Sequence, residues 1–185
     1  MQAENSENYS SVARFLHWLT VVLLVMLFFS GIAMTYRGEE LKLWDATTNF
    51  LYSAHKAIGL LLLAIIILRL GYRLTYGVPQ APASLSGLQK RVADGVHWLL
   101  YALLLAVPIV GWIGISMFPA LDVFGVKIPA LVAADRESSE WVFELHEILG
   151  DFLLVLISVH VGAALLHIFV LKDDIMQRMW PRRSG

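Results

Sequence analysis

Long apolar runs, with charge confined to the gaps between them, set the pattern of this chain. Phe15–Tyr36 carries no Asp, Glu, Lys or Arg across 22 positions, Gly95–Leu121 none across 27, and Phe152–Leu171 none across 20. A bilayer-spanning helix needs about 20 such residues, whereas a buried soluble helix rarely has more than about 14. A shorter run, Ala57–Leu68, is flanked by Lys56 and Arg69. Both side chains can snorkel toward headgroups, which extends this segment to about residues 50–74. The pattern therefore predicts a single transmembrane domain over residues 1–185, with spans at about 12–36, 50–74, 93–118 and 141–171. The first run reads as a span and not as a signal peptide. Its core is too long, Gln2–Asn8 before it is acidic, and no small-residue cleavage site follows. Turn residues punctuate the gaps, most densely at Gly77, Pro79, Pro82 and Ser84.

Composition agrees. Charged residues are 16% of the chain and mean hydropathy is +0.67, where a soluble domain is about 25% charged. The expected fold is an all-α, integral membrane four-helix bundle. A net charge of −1 provides no basic field for nucleic acid. An even number of spans puts both termini on one side. That side and the middle loop hold nine basic residues: Arg14, Arg69, Arg73, Lys90, Arg91, Lys172, Arg178, Arg182 and Arg183. The other side holds five, namely Arg37, Lys42, Lys56, Lys127 and Arg136. The positive-inside rule then makes both termini cytoplasmic.

With no cysteine in the chain, disulfides, thiolate zinc, iron–sulfur clusters and covalent haem are all excluded. Any metal must be held by His, Met, Tyr or carboxylates. Six histidines, at 17, 55, 97, 146, 160 and 167, all fall within the spans or at their edges. One intramembrane imidazole can simply bond a carbonyl across helices. Six make function the better explanation.

Their depths are informative. His17 and His97 lie near the cytoplasmic face, His55 and His146 near the outer one. His146 and His160 are 14 residues apart, a rise of about 21 Å with the two side chains about 40° apart around the helix. His167 continues that face about 10 Å closer to the cytoplasm. Two stacked cofactors in a bundle suit this layout. His55 and His146 are the only outer pair. Each has a glycine four residues on, Gly59 and Gly150, leaving a flat shelf for a porphyrin. His160 is followed by Gly162, Ala163 and Ala164. Structural zinc wants four clustered ligands, and the methionines do not gather as copper would want. Non-covalent haem b fits best, with Arg69, Arg73 or Lys56 available to its propionates. For the inner pair, His17, His97, His160 and His167 all compete. Pairing through His167 would part the irons by about 31 Å, so a working relay prefers His160. Pro108 reads as a kink in the third span, and Trp112 as bundle core.

The residues in question resemble the bacterial cytochrome b561 family of inner-membrane dihaem proteins. The resemblance lies in Tyr9-Ser10 and Arg14-Phe15-Leu16-His17-Trp18, in His55-Lys56-Ala57-Ile58-Gly59, and in Trp141 through His146-Glu147 and Gly150. It continues in His160 through His167 and in the tail, Lys172-Asp173-Asp174 and Met179-Trp180-Pro181-Arg182. The resemblance implies that His17 and His160 ligate the cytoplasmic-side haem, and His55 with His146 the periplasmic-side haem. It places His167 beside a quinone headgroup, with Arg14 a further candidate there, and leaves His97 without a role. It implies an oxidoreductase passing electrons from superoxide, a small one-electron donor, to ubiquinone. Nine acidic residues in the outer loops against five basic ones argue against steering an anion there. Two other functions compete: a haem-bearing anchor subunit docked to a larger redox partner, and a transporter whose histidines shuttle protons.

Overall fold

A computed structural model describes residues 8–81 and 85–180. Residues 2–7, Pro82, Ser84, Pro181, Arg182 and Arg183, all used in the sequence reading, lie outside the described residues. Four long helices carry the fold: α1 (Ser11–Thr35), α2 (Ala46–Tyr76), α3 (Gly87–Met117) and α4 (Arg136–Leu166). All four are long and apolar enough to cross a bilayer.

Three of the helices begin several residues before the expected spans, because polar caps add turns beyond the apolar core. Asp45 accepts from the Thr48 N–H, and Asp135 from that of Ser138. Ser86 and Gln89 form a reciprocal capping box. The Thr48 N–H bond, joined by the Arg37 guanidinium at 2.7 Å, holds the Asp45 carboxyl below the usual carboxylate range. This capped form is favoured at neutral pH, and its advantage is lost as pH falls through the lowered pKa. Gly77 ends α2 at φ 74°, a conformation that a side chain would strain. π-helical turns extend α1 through Tyr36–Glu40 and α4 through His167–Leu171.

Two antiparallel hairpins make the bundle. α1 packs along α2 and α3 along α4, while α2 and α3 join over a narrower seam. Among the described residues, α4 makes almost no close backbone contact with α1 or α2. Leu23, Leu62, Ile66, Tyr101, Leu103, Leu104, Leu153 and Leu156 form the core. In sequence these fall between the two histidine levels, so the core is an apolar plug separating them. The outward faces carry exposed Phe15, Phe29, Val155 and Phe169, as expected where lipid is the solvent.

Short segments close both ends. At one end, β1 (Asp122–Val123) and β2 (Val126–Lys127) form a tiny hairpin, turning on Phe124 and Gly125, both at positive φ. At the other end the tail folds back on α1. Trp18 Nε1 donates to Met179 O at 3.0 Å, Arg14 to Trp180 O at 3.2 Å, and Tyr9 N to Arg178 O at 3.4 Å. The two ends of the described chain thus share one end of the bundle.

Candidate functional site

Across the gap between α4 and the first hairpin, the helices meet through imidazoles. At the outer level His55 of α2 faces His146 of α4, with ring centroids 6.3 Å apart. At the inner level His17 of α1 faces His160 of α4 at 6.5 Å. Two imidazoles on one metal place their centroids about 6.2 Å apart, from bonds of about 2 Å and about 1.1 Å within each ring. Both pairs fit that spacing. His97 of α3 approaches His160 more closely, at 5.4 Å, too near for a shared iron between the rings.

Hydrogen bonds fix the outer tautomers. His146 Nδ1 lies 2.9 Å from Val107 O, which can only accept, so Nδ1 carries the proton. His55 Nδ1 lies 3.2 Å from Ser30 Oγ, whose own proton goes to Leu27 O at 3.1 Å. Both Nε2 atoms therefore keep their lone pairs, the state a metal ligand needs. Val107 directly precedes Pro108, so the proline-bearing stretch of α3 supplies the anchor.

Glycines shape the gap in two ways. A Cβ on Gly150 or Gly162 would meet nothing within 4 Å, and one on Gly59 would meet only Leu27 at 3.9 Å. Of these, Gly59 and Gly150 lie one turn from His55 and His146 and leave room for a flat macrocycle beside them. Gly31 and Gly111 do the opposite work. A Cβ on Gly111 would lie 2.9 Å from the His146 ring, and one on Gly31 would lie 3.4 Å from that of His55. Each imidazole thus seats in a notch on the helix opposite its own.

The inner level is more cationic. Arg69 and Arg73 project from one face of α2 onto α3. The Arg69 guanidinium lies 5.4 Å from the Tyr101 ring centre, and that of Arg73 lies 5.4 Å from Trp98. Arg69 Nη2 is 2.9 Å from His17 Nδ1. Arginine can only donate, so here Nδ1 accepts and Nε2 holds the proton. Ion pairs among the described residues are Arg37–Asp45 and His167–Asp173, so neither inner arginine meets a carboxylate. Tyr9 is no substitute: burial raises its phenol pKa despite nearby Arg73 and Arg178, keeping it neutral. Two half-buried guanidiniums facing the inner histidines await an anion.

The remaining sequence candidates fall at the two ends. The Lys56 ammonium, expected among the propionate partners, is held by the carbonyls of Ala120 and Asp122 below the outer hairpin. Trp112, read as core, donates from Nε1 to Pro129 O at 2.9 Å and pins the same loop. Arg14 holds the tail, as above. His167 opens the last π-helical turn, with Nδ1 2.6 Å from Asp173 Oδ2. Beside it lies a cavity of about 410 Å³, lined by Ile168, Lys172, Asp173, Met176, Gln177 and Trp180. Among the described residues no three His, Asp or Glu side chains converge as a bare metal ion would need. The histidines pair instead, as iron in a macrocycle requires.

Sequence reasoning missed Ser30, Gly31, Gly111 and Asp173. Gly111 carried a faint signal, as an isolated glycine near Pro108 in an apolar helix. The others gain meaning only when helices are brought together.

A family model described as prokaryotic cytochrome b561 matches residues 8–182. The chain is 28% identical to a probable superoxide oxidase CybB of Yersinia pestis, over 97% of this chain and 99% of that protein. It is 29% identical to cytochrome b561 homolog 2 of Escherichia coli K12, over 97% and 94% respectively. It is also 25% identical to a cytochrome b562 of Cereibacter sphaeroides, over 92% and 94%.

Proposed function

The chain belongs to the prokaryotic cytochrome b561 family, and from that premise we propose that it moves electrons from a periplasmic one-electron donor to ubiquinone through two haems. Membership brings b-type haem and transmembrane electron transfer. The observation that carries the finer reading is the pair of facing imidazoles at each of two depths along α4. His55 and His146 hold the outer haem, and His17 and His160 the inner one. When bound, haem iron supplies a one-electron couple, which neither the side chains nor the lipid can. Nine basic residues against five orient both termini to the cytoplasm of the bacterial inner membrane.

The protein's own groups set the conditions. Val107 O and Ser30 Oγ orient His146 and His55. At the inner level, Arg69 would be shared between a haem propionate and His17, and on turning to the propionate would release Nδ1. Nδ1 can then take the proton and leave the Nε2 lone pair for iron. Arg73, one turn along, offers a second guanidinium to the same anion. The Leu23–Leu156 core keeps water from the path between levels.

The name of the Yersinia relative supports superoxide as the donor. Two superoxide ions each give up one electron and leave as dioxygen. One quinone takes both electrons and two protons to become quinol. Lys127 and Arg136 are the cations closest in sequence to the outer hairpin that can offset its acidic surroundings.

Purified protein tests this directly. Pyridine haemochrome analysis should give two haems b per chain. Enzymatically generated superoxide should reduce them, and a short-chain ubiquinone should reoxidise them. A single haem, or reduced haem that quinone leaves unchanged, refutes the corresponding half of the reading.

The glycine notch gives a second test. Gly111→Val drives a branched side chain into the His146 ring and should break its bond to Val107 O. We expect haem content to fall from two to one per chain. Gly71→Ala, in α2, where a Cβ likewise meets nothing within 4 Å, should keep the axial ligands and both haems. Equal haem content in the two variants would show that the notch does not position His146.

A further inference from the structure

We propose that Asp173 and His167 form a proton-delivery dyad at the cytoplasmic end, refilled through the cavity that Asp173 lines. The proposal rests on ubiquinone as the acceptor and adds the source of its protons.

Chain geometry builds the pair. Lys172 sits in the left-handed region at φ 53° and stops the last π-helical turn. The reversal sends Asp173 back onto the turn it has just left. Its N–H donates to His167 O at 3.2 Å, its Oδ1 accepts from Ile175 N at 3.1 Å, and its Oδ2 faces His167 Nδ1 at 2.6 Å. Two backbone bonds thus hold the carboxylate on the imidazole. Side-chain exposures of 17% for His167 and 23% for Asp173 leave the pair half-covered. Asp173 also lines the cavity of about 410 Å³, together with Lys172 and Gln177. The carboxylate therefore links a space open to cytoplasmic water with an imidazole at the inner end of α4.

The chemistry needs such a link. Quinone becomes quinol by gaining two electrons and two protons. Electrons come by way of the inner level, and the protons have no source within the apolar bundle. A carboxylate on Nδ1 fixes the ring's orientation and offsets the positive charge whenever both nitrogens carry protons. As charge builds on a quinone oxygen, the Nε2 proton moves to it. The imidazole left behind is neutral and keeps its Nδ1 proton on Asp173. Nε2, the nitrogen left bare, then takes the next proton from water of the cavity, and a second cycle completes the quinol. His167 is the group in contact with quinone, and Asp173 acts through it as a positioning residue.

Asp173→Asn in the holoprotein is the test, with ubiquinone-1 as acceptor and ferricyanide, which takes an electron without a proton, as control. Turnover with quinone should fall about tenfold or more, the scale of a lost acid–base function. KM for quinone should stay within about threefold, and haem content, thermal midpoint and ferricyanide rate should not change. Asp173→Glu, which keeps the charge, should recover most of the loss. Adding Asp173→Asn to His167→Gln should slow that variant by less than about twofold, because one pathway is already broken. Full quinone turnover in Asp173→Asn overturns the dyad, as does a parallel loss of the ferricyanide rate. So does an Asp173→Glu protein as slow as Asp173→Asn, or additive losses in the double variant. Wild-type haem that quinone cannot oxidise defeats the acceptor reading itself, whereas quinone oxidising wild type and Asp173→Asn alike defeats the dyad alone.

Discussion

His55→Ala is expected to leave one haem b per chain in place of two. At the outer level His55 and His146 face each other at 6.3 Å, and the next imidazole along α4, His160, is about 21 Å away. No rotamer change brings a substitute across that distance. A site reduced to His146 alone keeps its bond to Val107 O but offers iron one axial nitrogen. The lost ring also opens a void beside Gly31, whose small size exists to receive His55. Void and lost ligand act in the same direction. The inner level should retain its haem, because the Leu23–Leu156 core separates the two. Pyridine haemochrome and protein assays on purified material measure the ratio. Two haems per chain in His55→Ala would remove this residue from the ligand set. The same protein should fail to accept electrons from superoxide while its remaining haem is still reduced by dithionite.

What was legible in the sequence follows from what depends on one helix at a time. Span number and position came from unbroken apolar runs. The common face of His146 and His160 came from helical arithmetic, and the shelf at Gly150 from its four-residue offset. The early starts of α2, α3 and α4 were less visible. Asp45, Ser86 and Asp135 sit among ordinary loop residues, and capping acts beyond the apolar stretch that counting detects. Lys56 shows the limit more sharply. As a charge flanking an apolar run it reads as a propionate partner or an interfacial anchor, and the outer loop brings the carbonyls of Ala120 and Asp122 to its ammonium. Loop carbonyls leave no trace in residue identity. The same holds for Val107, whose main chain and not its side chain orients His146. Asp173 was quoted only as part of a family tail. Its value comes from a reversal at Lys172 that a non-glycine residue gives no reason to expect.

Arg69 joins the two kinds of information. As a charge beside an apolar run it is an interfacial anchor, and as a neighbour of His17 it controls a tautomer. Because it donates to Nδ1, ligand binding at the inner level is tied to anion binding. The outer level, whose Nδ1 atoms already donate, carries no such condition. The two levels therefore differ in the hydrogen bonding of their histidines, with Nδ1 donating in the outer pair and Nδ1 of His17 accepting in the inner one.

At the inner level, three imidazoles compete for two positions. His160→Ala should lose the inner haem and all quinone reduction, while His97→Ala should keep both haems. His160 is the shared neighbour, 6.5 Å from His17 and 5.4 Å from His97. Removing it leaves two rings on α1 and α3 with no partner on α4. His97 cannot stand in for His17 without a shift, since about 6.2 Å is needed between rings that clasp one iron. A ring at 5.4 Å packs against the ligand's edge and limits its rotation. His97→Ala should therefore broaden or shift the low-spin signals of the inner haem in electron paramagnetic resonance without changing haem content. His17→Ala decides the remaining question. If it loses the inner haem as His160→Ala does, the pair is His17 with His160. If instead His97→Ala loses that haem and His17→Ala does not, α3 supplies the ligand. Helix α1 would then contribute only the contacts that seat the tail.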